Sequence, residues 1–280
     1  MRGGRALPEF MKSLPRTLLA AYDYAVFYLG LVEFVLTSLI WSTVATMLHL
    51  LLPRRLGRRI GRIGVMFTFR LFLATLALSG RFRFDLRALD GLRHETAMII
   101  APNHPSLWDA VMMGSRLPDM ACIMKAAILN NILFGGGARL ARYIPNDSIR
   151  RMINMAIDNL QAGSHVLLFP EGTRTVTPPV GRITGAVGVI ACRAGVPVQT
   201  VLIDTDSAFL SKGWPAYRKP PLPLSYRVRL GRRFEAPTNS AAFVAELQQY
   251  FSVALTATAG APGNAPAASP FDSETTASAK

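Results

Sequence analysis

From Ala25 to Leu52 the chain is almost unbroken in apolar residues, interrupted by Glu33 and His49, and Pro53 closes the run. As a helix this stretch would be about 42 Å long, enough to cross a hydrocarbon core of about 30 Å with some tilt. Glu33 argues mildly against a simple span. A central charge costs roughly 2.5–3.5 kcal/mol on insertion scales, which about six to ten Leu, Ile, Phe or Val residues offset, and the run contains enough of them. Five arginines follow, Arg54, Arg55, Arg58, Arg59 and Arg62, a cluster suited to an anionic cytoplasmic leaflet. Ile63 to Ser79 is apolar again, with Arg70 in its middle. It is short for a second span and reads as a half-embedded or interfacial helix. The leader before the first run carries Arg2, Arg5, Lys12 and Arg16, so positive charge lies on both sides of it. Charge bias therefore does not decide between one crossing and a hairpin.

From about Arg81 the pattern shortens. Ala97–Ala101 and Val166–Phe169 are brief apolar runs that end at proline or turn residues, which predicts buried strands; Val196–Ile203 and Tyr226–Leu230 are further strand candidates. Between them, Pro105–Arg116 and Ser148–Ala162 have helical spacing, and Gly185–Ala194 predicts a helix ended by Gly195. Strands alternating with helices imply an α/β domain, one sheet with helices packed on it. After about Thr256 the sequence turns to Ala, Gly, Pro, Ser and Thr, which predicts a disordered tail. The expected division is membrane-anchoring helices over 1–80, one α/β domain over 81–255, and a tail over 256–280.

Composition narrows the partners. Half of the 280 residues are hydrophobic, which suits a chain that partly meets lipid, and the formal charge of +14 suits an anionic partner. That partner is nucleic acid, an anionic membrane surface or a phosphorylated substrate. Zinc-finger spacing, ribonucleoprotein aromatic motifs and a basic zipper are all missing from the sequence, so nucleic acid is not expected. Cys122 and Cys192 sit in apolar runs and read as buried small hydrophobes in a reducing compartment. A secretory signal does not fit, because the apolar run is too long and no small-residue cleavage site follows. His49, His94 and His165 have no ligand spacing with His104 and no cysteine pair helps, so no metal site is expected.

Two short motifs carry chemistry. The first is Asn103-His104-Pro105-Ser106-Leu107-Trp108-Asp109. In one continuous helix, residues five apart point about 140° from each other. His104 and Asp109 meet only if His104 lies outside the regular helix and folds back. Pro105, tolerated at a first helical position, predicts that arrangement, with His104 capping a helix that starts at Pro105 and with Asn103 and Ser106 as polar neighbours. Asp109 would then hold one imidazole nitrogen and leave the other as a base. A capping His beside an unrelated surface Asp is the plainer alternative.

The second motif is Phe169-Pro170-Glu171-Gly172-Thr173-Arg174. If the strands before the two motifs are parallel neighbours, His104 and Glu171 share one rim, where ligands of open α/β sheets bind. Gly172 allows a tight turn, Arg174 offers a planar fork suited to phosphate, and Glu171 can accept from a substrate hydroxyl or hold Arg174. A surface turn with a local ion pair is the alternative here. The absence of a Gly-x-Ser-x-Gly elbow argues against a serine acyl-enzyme.

Both motifs, in this order and behind an apolar N-terminal segment, resemble those of the glycerolipid acyltransferases, typified by bacterial 1-acyl-glycerol-3-phosphate acyltransferases. The resemblance covers about residues 80–235 and includes a later Val196-Pro197 pair. It implies an acyltransferase domain with a central mixed sheet, with His104 as base on the acceptor hydroxyl and Asp109 orienting it. Glu171, Gly172, Thr173 and Arg174 would bind the acceptor, helped by Arg142 and Lys125. It implies no resident cofactor, with acyl-coenzyme A or acyl-carrier protein as co-substrate and membrane lipids and a lysophospholipid as partners. The implied location is the bacterial cytoplasmic membrane, catalytic domain on the cytoplasmic side. Two places depart from the family. Arg142-Tyr143-Ile144-Pro145-Asn146-Asp147 has Asn146 where a phosphate-contacting arginine is expected, leaving Arg139, Arg142 or Arg182 to substitute. Ile183-Thr184 replaces the usual Phe-Lys. The first variant, preceded by Lys125-Ala126-Ala127, resembles a branch linked to specialised bacterial lipids and aryl polyenes. A lyso-aminolipid or aryl-polyene lipid is thus the alternative acceptor, and a non-catalytic lipid-binding protein the alternative of another class.

Overall fold

The computed structural model describes residues 15–259. The basic leader residues Arg2, Arg5 and Lys12 and the tail from 260 lie outside them. The N-terminal third is a helical hairpin. Helix α1 runs Arg16–Leu51, α2 runs Arg54–Leu78, and only Leu52 and Pro53 separate them. Pro53 stops α1 because its ring cannot follow a helical neighbour, and it opens α2, where a missing N–H is harmless. The arginine cluster is therefore helical, the first turns of α2, continuous with the apolar segment from Ile63 that the pattern set apart. Both helices are long and apolar enough to cross a membrane. They run antiparallel: Gly30 faces Leu76, Phe34 stacks near Phe72 and Trp41 lies on Gly64.

The hairpin is fastened to the rest of the molecule along one side. Gly61 meets the backbone of Ala141, and Gly136 meets Ser42. A Cβ on either would approach its neighbour to 2.0–2.4 Å. Two arginines enter from the hairpin end. Arg62 reaches Asp119, Ser164, Asn159 and the Ala141 carbonyl, and Arg81, just past α2, pairs with Asp23 of α1. The opposite side of α1 shows an unpartnered apolar stripe, Leu29, Val32, Leu36, Ile40, Val44, Met47 and Leu51, at helical spacing.

The remainder is a three-layer α/β unit. Seven strands stand in the order β1-β7-β6-β2-β5-β3-β4, with β1 Phe82–Asp85, β2 Ile99–Pro102, β3 Met120–Met124, β4 Ile144–Pro145, β5 His165–Leu167, β6 Val198–Thr205 and β7 Leu224–Phe234. All neighbours are parallel except β6 and β7, so the sheet is mixed, as expected. Successive strand residues face opposite layers: Ile100 and Leu167 pack toward α1, α2 and α3 (Asp109–Gly114), and Ile99 and Val166 toward α6 (Ile149–Gln161), α7 (Ala186–Ala194) and α8 (Ser240–Ala259). Short α4 (Ala126–Leu129) and α5 (Gly135–Leu140) join β3 to β4. Ser148 caps α6, its Oγ accepting from the Arg151 N–H at 3.4 Å, and Gly195 ends α7 in the left-handed region at φ 65°. Helix α8 continues through Ala259, a few residues into the stretch expected to be tail. Cys122 is buried and Cys192 half-buried; both are free.

Candidate active site

Strands β2 and β5 are parallel neighbours, with Ile99 opposite Val166 and Ile100 opposite Leu167. The two motifs leave the carboxyl ends of these strands and share one rim. The path from β2 differs from the expected cap. Residues 104–108 form no helix, and α3 begins only at Asp109. His104 thus sits on an irregular loop, and Asp109 holds the first turn, where a carboxylate favours the helix dipole. The imidazole Nδ1 lies 2.8 Å from Asp109 Oδ2, and the Ser106 N–H donates to the same oxygen at 2.8 Å. Complete burial pushes the Asp109 carboxyl up from its usual range, while the His104 ring and the Ser106 N–H draw it back down. Behind this pair, Tyr226 O–H donates to Ser106 Oγ at 3.2 Å, and burial pushes that phenol up.

Asn103 serves another purpose than expected. Its side chain donates to the Ile203 carbonyl at 3.1 Å and accepts from the Ile203 N–H at 2.7 Å, stapling the start of the loop to β6.

The second motif clasps the first. Glu171 is buried; its Oε1 accepts from the His104 N–H at 3.2 Å and from Thr175 Oγ1 at 2.8 Å, and its Oε2 accepts from the Gly181 N–H at 2.7 Å. The His104 carbonyl in turn accepts from the Thr175 N–H at 2.8 Å. The Phe169 ring lies flat against the imidazole, centroids 3.8 Å apart. Gly172 takes φ 68°, a conformation that favours glycine. Thr173 is exposed on that turn.

Glu171 does not hold Arg174, one of the two roles considered for it. Arg174 instead donates through Nη1 to the carbonyls of Leu210 and Ser211, both at 2.9 Å. Its Nε and Nη2 make no hydrogen bond among the described residues. Lys125, at the carboxyl end of β3, is exposed on the same rim two strands from β2. Arg142 is not there. It precedes β4 and lines a groove with Arg54, Arg55, Arg58 and Asp158 at the opposite, amino-terminal rim. Asn146 follows β4 on the Lys125 side, where its Oδ1 accepts from the Ala126 N–H at 3.3 Å.

A model of the Acyltransferase family matches residues 83–204, a span that contains both motifs. The chain carries an acyltransferase domain. It is 24% identical over 219 residues, 76% of this chain and 82% of the relative, to a 1-acyl-sn-glycerol-3-phosphate acyltransferase of Pseudomonas aeruginosa. The fold is similar to that of the crystal structure of the 1-acyl-sn-glycerophosphate (LPA) acyltransferase PlsC from Thermotoga maritima. The TM-score is 0.59 at 17% identity, covering 88% of this chain and 98% of that one. Together these matches support the glycerolipid acyltransferase family that the two motifs resemble.

Four contributors to the candidate site were not read from the sequence. Phe169 was in view as a motif letter, but its stacking was not. Thr175 and Gly181 lie just beyond the motif and gave no signal. Leu210, whose carbonyl accepts from both Arg174 and the Leu107 N–H, lies in a loop with no recognisable pattern.

Proposed function

We propose that this chain is a membrane-bound O-acyltransferase that moves a fatty acyl group from an acyl thioester to the free hydroxyl of a lysophospholipid. The acceptor is 1-acyl-sn-glycerol-3-phosphate and the product phosphatidic acid. The observation that carries the reading is His104, whose Nδ1 is held by buried Asp109 while Nε2 has no partner among the described residues on a 13% exposed ring.

The Asp109 bond fixes the tautomer with the proton on Nδ1, so Nε2 is the base. It takes the acceptor hydroxyl proton as the oxygen attacks the thioester carbonyl. The tetrahedral intermediate collapses, the C–S bond breaks, and the imidazolium returns the proton to the leaving thiolate. A positioned base supplies about 10²–10⁴-fold, and alignment of the two substrates supplies much of the rest. Glu171 and Phe169 fix the height and tilt of the imidazole. The open Nε and Nη2 of Arg174 suit the acceptor phosphate, with exposed Lys125 and Arg182 as further cations. The thiol carrier is coenzyme A or a carrier protein. The exposed apolar stripe of α1 supports attachment to the membrane.

Turnover of 1-acyl-sn-glycerol-3-phosphate with an acyl thioester, measured beside His104→Ala, tests the reading. Phosphatidic acid must form with the wild type and nearly vanish with the variant. A second acceptor class is favoured by Asn146, neutral and already bonded to Ala126 where the family has an arginine. If lysophosphatidate turns over poorly and a phosphate-free lyso-lipid turns over well, that class replaces the first.

A further inference from the structure

The loop from Asp206 to Pro223 joins β6 to β7 over the catalytic rim, because β6 runs parallel to β2 and ends where the His104 loop begins. At its base it is part of the site. Phe209 is buried against Trp108, centroids 5.1 Å apart, and Leu210 takes φ 57°, a left-handed conformation rare for leucine. That turn aims one carbonyl at two donors, the Leu107 N–H of the catalytic loop and Arg174 Nη1.

At its tip the loop is of another character. Lys212, Tyr217 and Arg218 are exposed, Tyr217 to 73%. Arg218 lies 5.3 Å over the Trp214 ring, whose Nε1–H donates to the Arg218 carbonyl at 3.0 Å, so the tip is an ordered turn. It docks on the N-terminal end of α1. Lys219 Nζ sits 5.0 Å over Tyr24, Phe27 meets Phe209 at 5.9 Å, and the Leu222 carbonyl accepts from Arg81 at 3.0 Å. Tyr24 and Tyr28, themselves about half exposed and stacked at 6.3 Å, begin the apolar stripe of α1. Aromatic rings with a polar edge and long basic side chains, set at the end of an apolar face, are the composition of a membrane–water interface.

We propose that the β6–β7 loop is a second membrane-contact element. Its Lys212–Arg218 tip enters the headgroup zone of an anionic leaflet beside Tyr24 and Tyr28, and its Leu210 hub transmits that height to Arg174 and the His104 loop. The inference rests on the membrane attachment of the helical hairpin proposed above. Continuity with the α1 stripe and positive charge favour lipid over an acidic protein as the occupant.

An environment-sensitive dye at Tyr217→Cys, in a Cys192→Ser background, tests it with vesicles of mixed phosphatidylethanolamine and phosphatidylglycerol carrying quencher-labelled lipids. The control is the same dye at Gln161→Cys, at the end of α6 on the opposite rim. Co-sedimentation reports attachment separately. The expected result is quenching at 217 and not at 161, in a protein that sediments with vesicles. Sedimentation without quenching at 217 overturns this inference and leaves the attachment standing. Failure to sediment overturns both. Protection of the dye by an acidic carrier protein, with no quenching by lipid, assigns the tip to a protein and overturns it. A second arm uses Arg218→Glu. Losing one basic contact with an anionic surface should raise KM for vesicle-borne acceptor at least about fivefold. KM for a dissolved short-chain acceptor should stay within about twofold, the scatter expected of a surface change. Equal loss on both acceptors would show a merely structural role.

Discussion

The two rims of one sheet carry polar clusters of similar make-up and opposite closure. At the amino-terminal rim, Arg62 is 2% exposed and every nitrogen is engaged: Nε on the Ala141 carbonyl at 3.2 Å, Nη1 on Asp119 and on Ser164 Oγ at 2.8 Å, Nη2 on Asn159 Oδ1 at 2.7 Å. At the carboxyl-terminal rim, Glu171 is just as fully engaged, yet His104 keeps Nε2 open and Arg174 keeps Nε and Nη2 open. Burial and charge do not separate the two clusters, because both have them. Unused bonding capacity does. The first set is a fastener between the hairpin and the α/β unit; the second is a place where a substrate can be held and a proton moved.

The contrast breaks or sharpens under substitution. The largest effect is expected at His104. His104→Ala should lower kcat by about 10²–10⁴-fold, the value of a positioned base, with little change in thermal midpoint. Residual activity within about tenfold of wild type would remove His104 from the base role. Next comes Arg62→Met, which strands the Asn159, Ser164 and Ala141 oxygens. Removing one partner of a buried pair costs about 3–5 kcal/mol. The Asp119 side chain is 60% exposed and rehydrates, so the lower end is expected, read from denaturant midpoints with kcat per folded molecule unchanged. Unaltered stability would show that the fastener is idle.

Glu171→Gln should lower kcat about tenfold, since an amide cannot accept on both sides and a hydrogen bond to a charged group is worth about 1.5–3 kcal/mol. Acceptor KM should move less; a rise in KM with kcat kept would place Glu171 on the substrate. Arg174→Ala should raise acceptor KM about tenfold or more by the same bond value, while Arg142→Ala should leave it nearly unchanged. Equal effects at both would contradict the separation of the rims. The smallest effect is expected from His165, whose Nε2 bonds the Leu92 carbonyl at 3.0 Å and whose pKa burial lowers. The unfolded chain takes up this proton first as pH falls below about 6.5, so stability is full above that pH and declines below it. The slope approaches about 1.4 kcal/mol per pH unit. Acid titration of the midpoint, compared with His165→Gln, measures it; parallel curves would exclude the group.

Much of this was legible in the sequence because the signals were local. Ser148 and Gly195 mark the ends of α6 and α7 by cap chemistry, and the parallel adjacency of β2 and β5, posed from sequence only as the condition for His104 and Glu171 to share a rim, is met. Strands β1, β3 and the two-residue β4 were missed. Phe82–Asp85 alternates for only four residues at the sheet edge, and Met120–Met124 is built from Met, Ala and Cys, which carry little strand preference. The helix expected from Pro105 failed because the Asp109 carboxylate must turn back to both His104 and the Ser106 N–H, which a regular helix over 105–108 would prevent. Arg142 was misplaced for a reason sequence distance hides: it stands four residues from Asn146, but the strand between them carries the chain from one rim to the other.

The glycine contacts of the hairpin have a further consequence. At Gly61 and Gly136 the hairpin and the α/β unit touch backbone directly, with no room for a methyl group. A catalyst tied to its anchor by a slack tether samples a volume, and its effective concentration at any one point falls as the tether lengthens. Here there is no tether. The separation between His104 and the stripe of α1 is a constant of the molecule, and under the proposed membrane attachment the local concentration of His104 facing a lipid hydroxyl is set by geometry rather than by chain statistics.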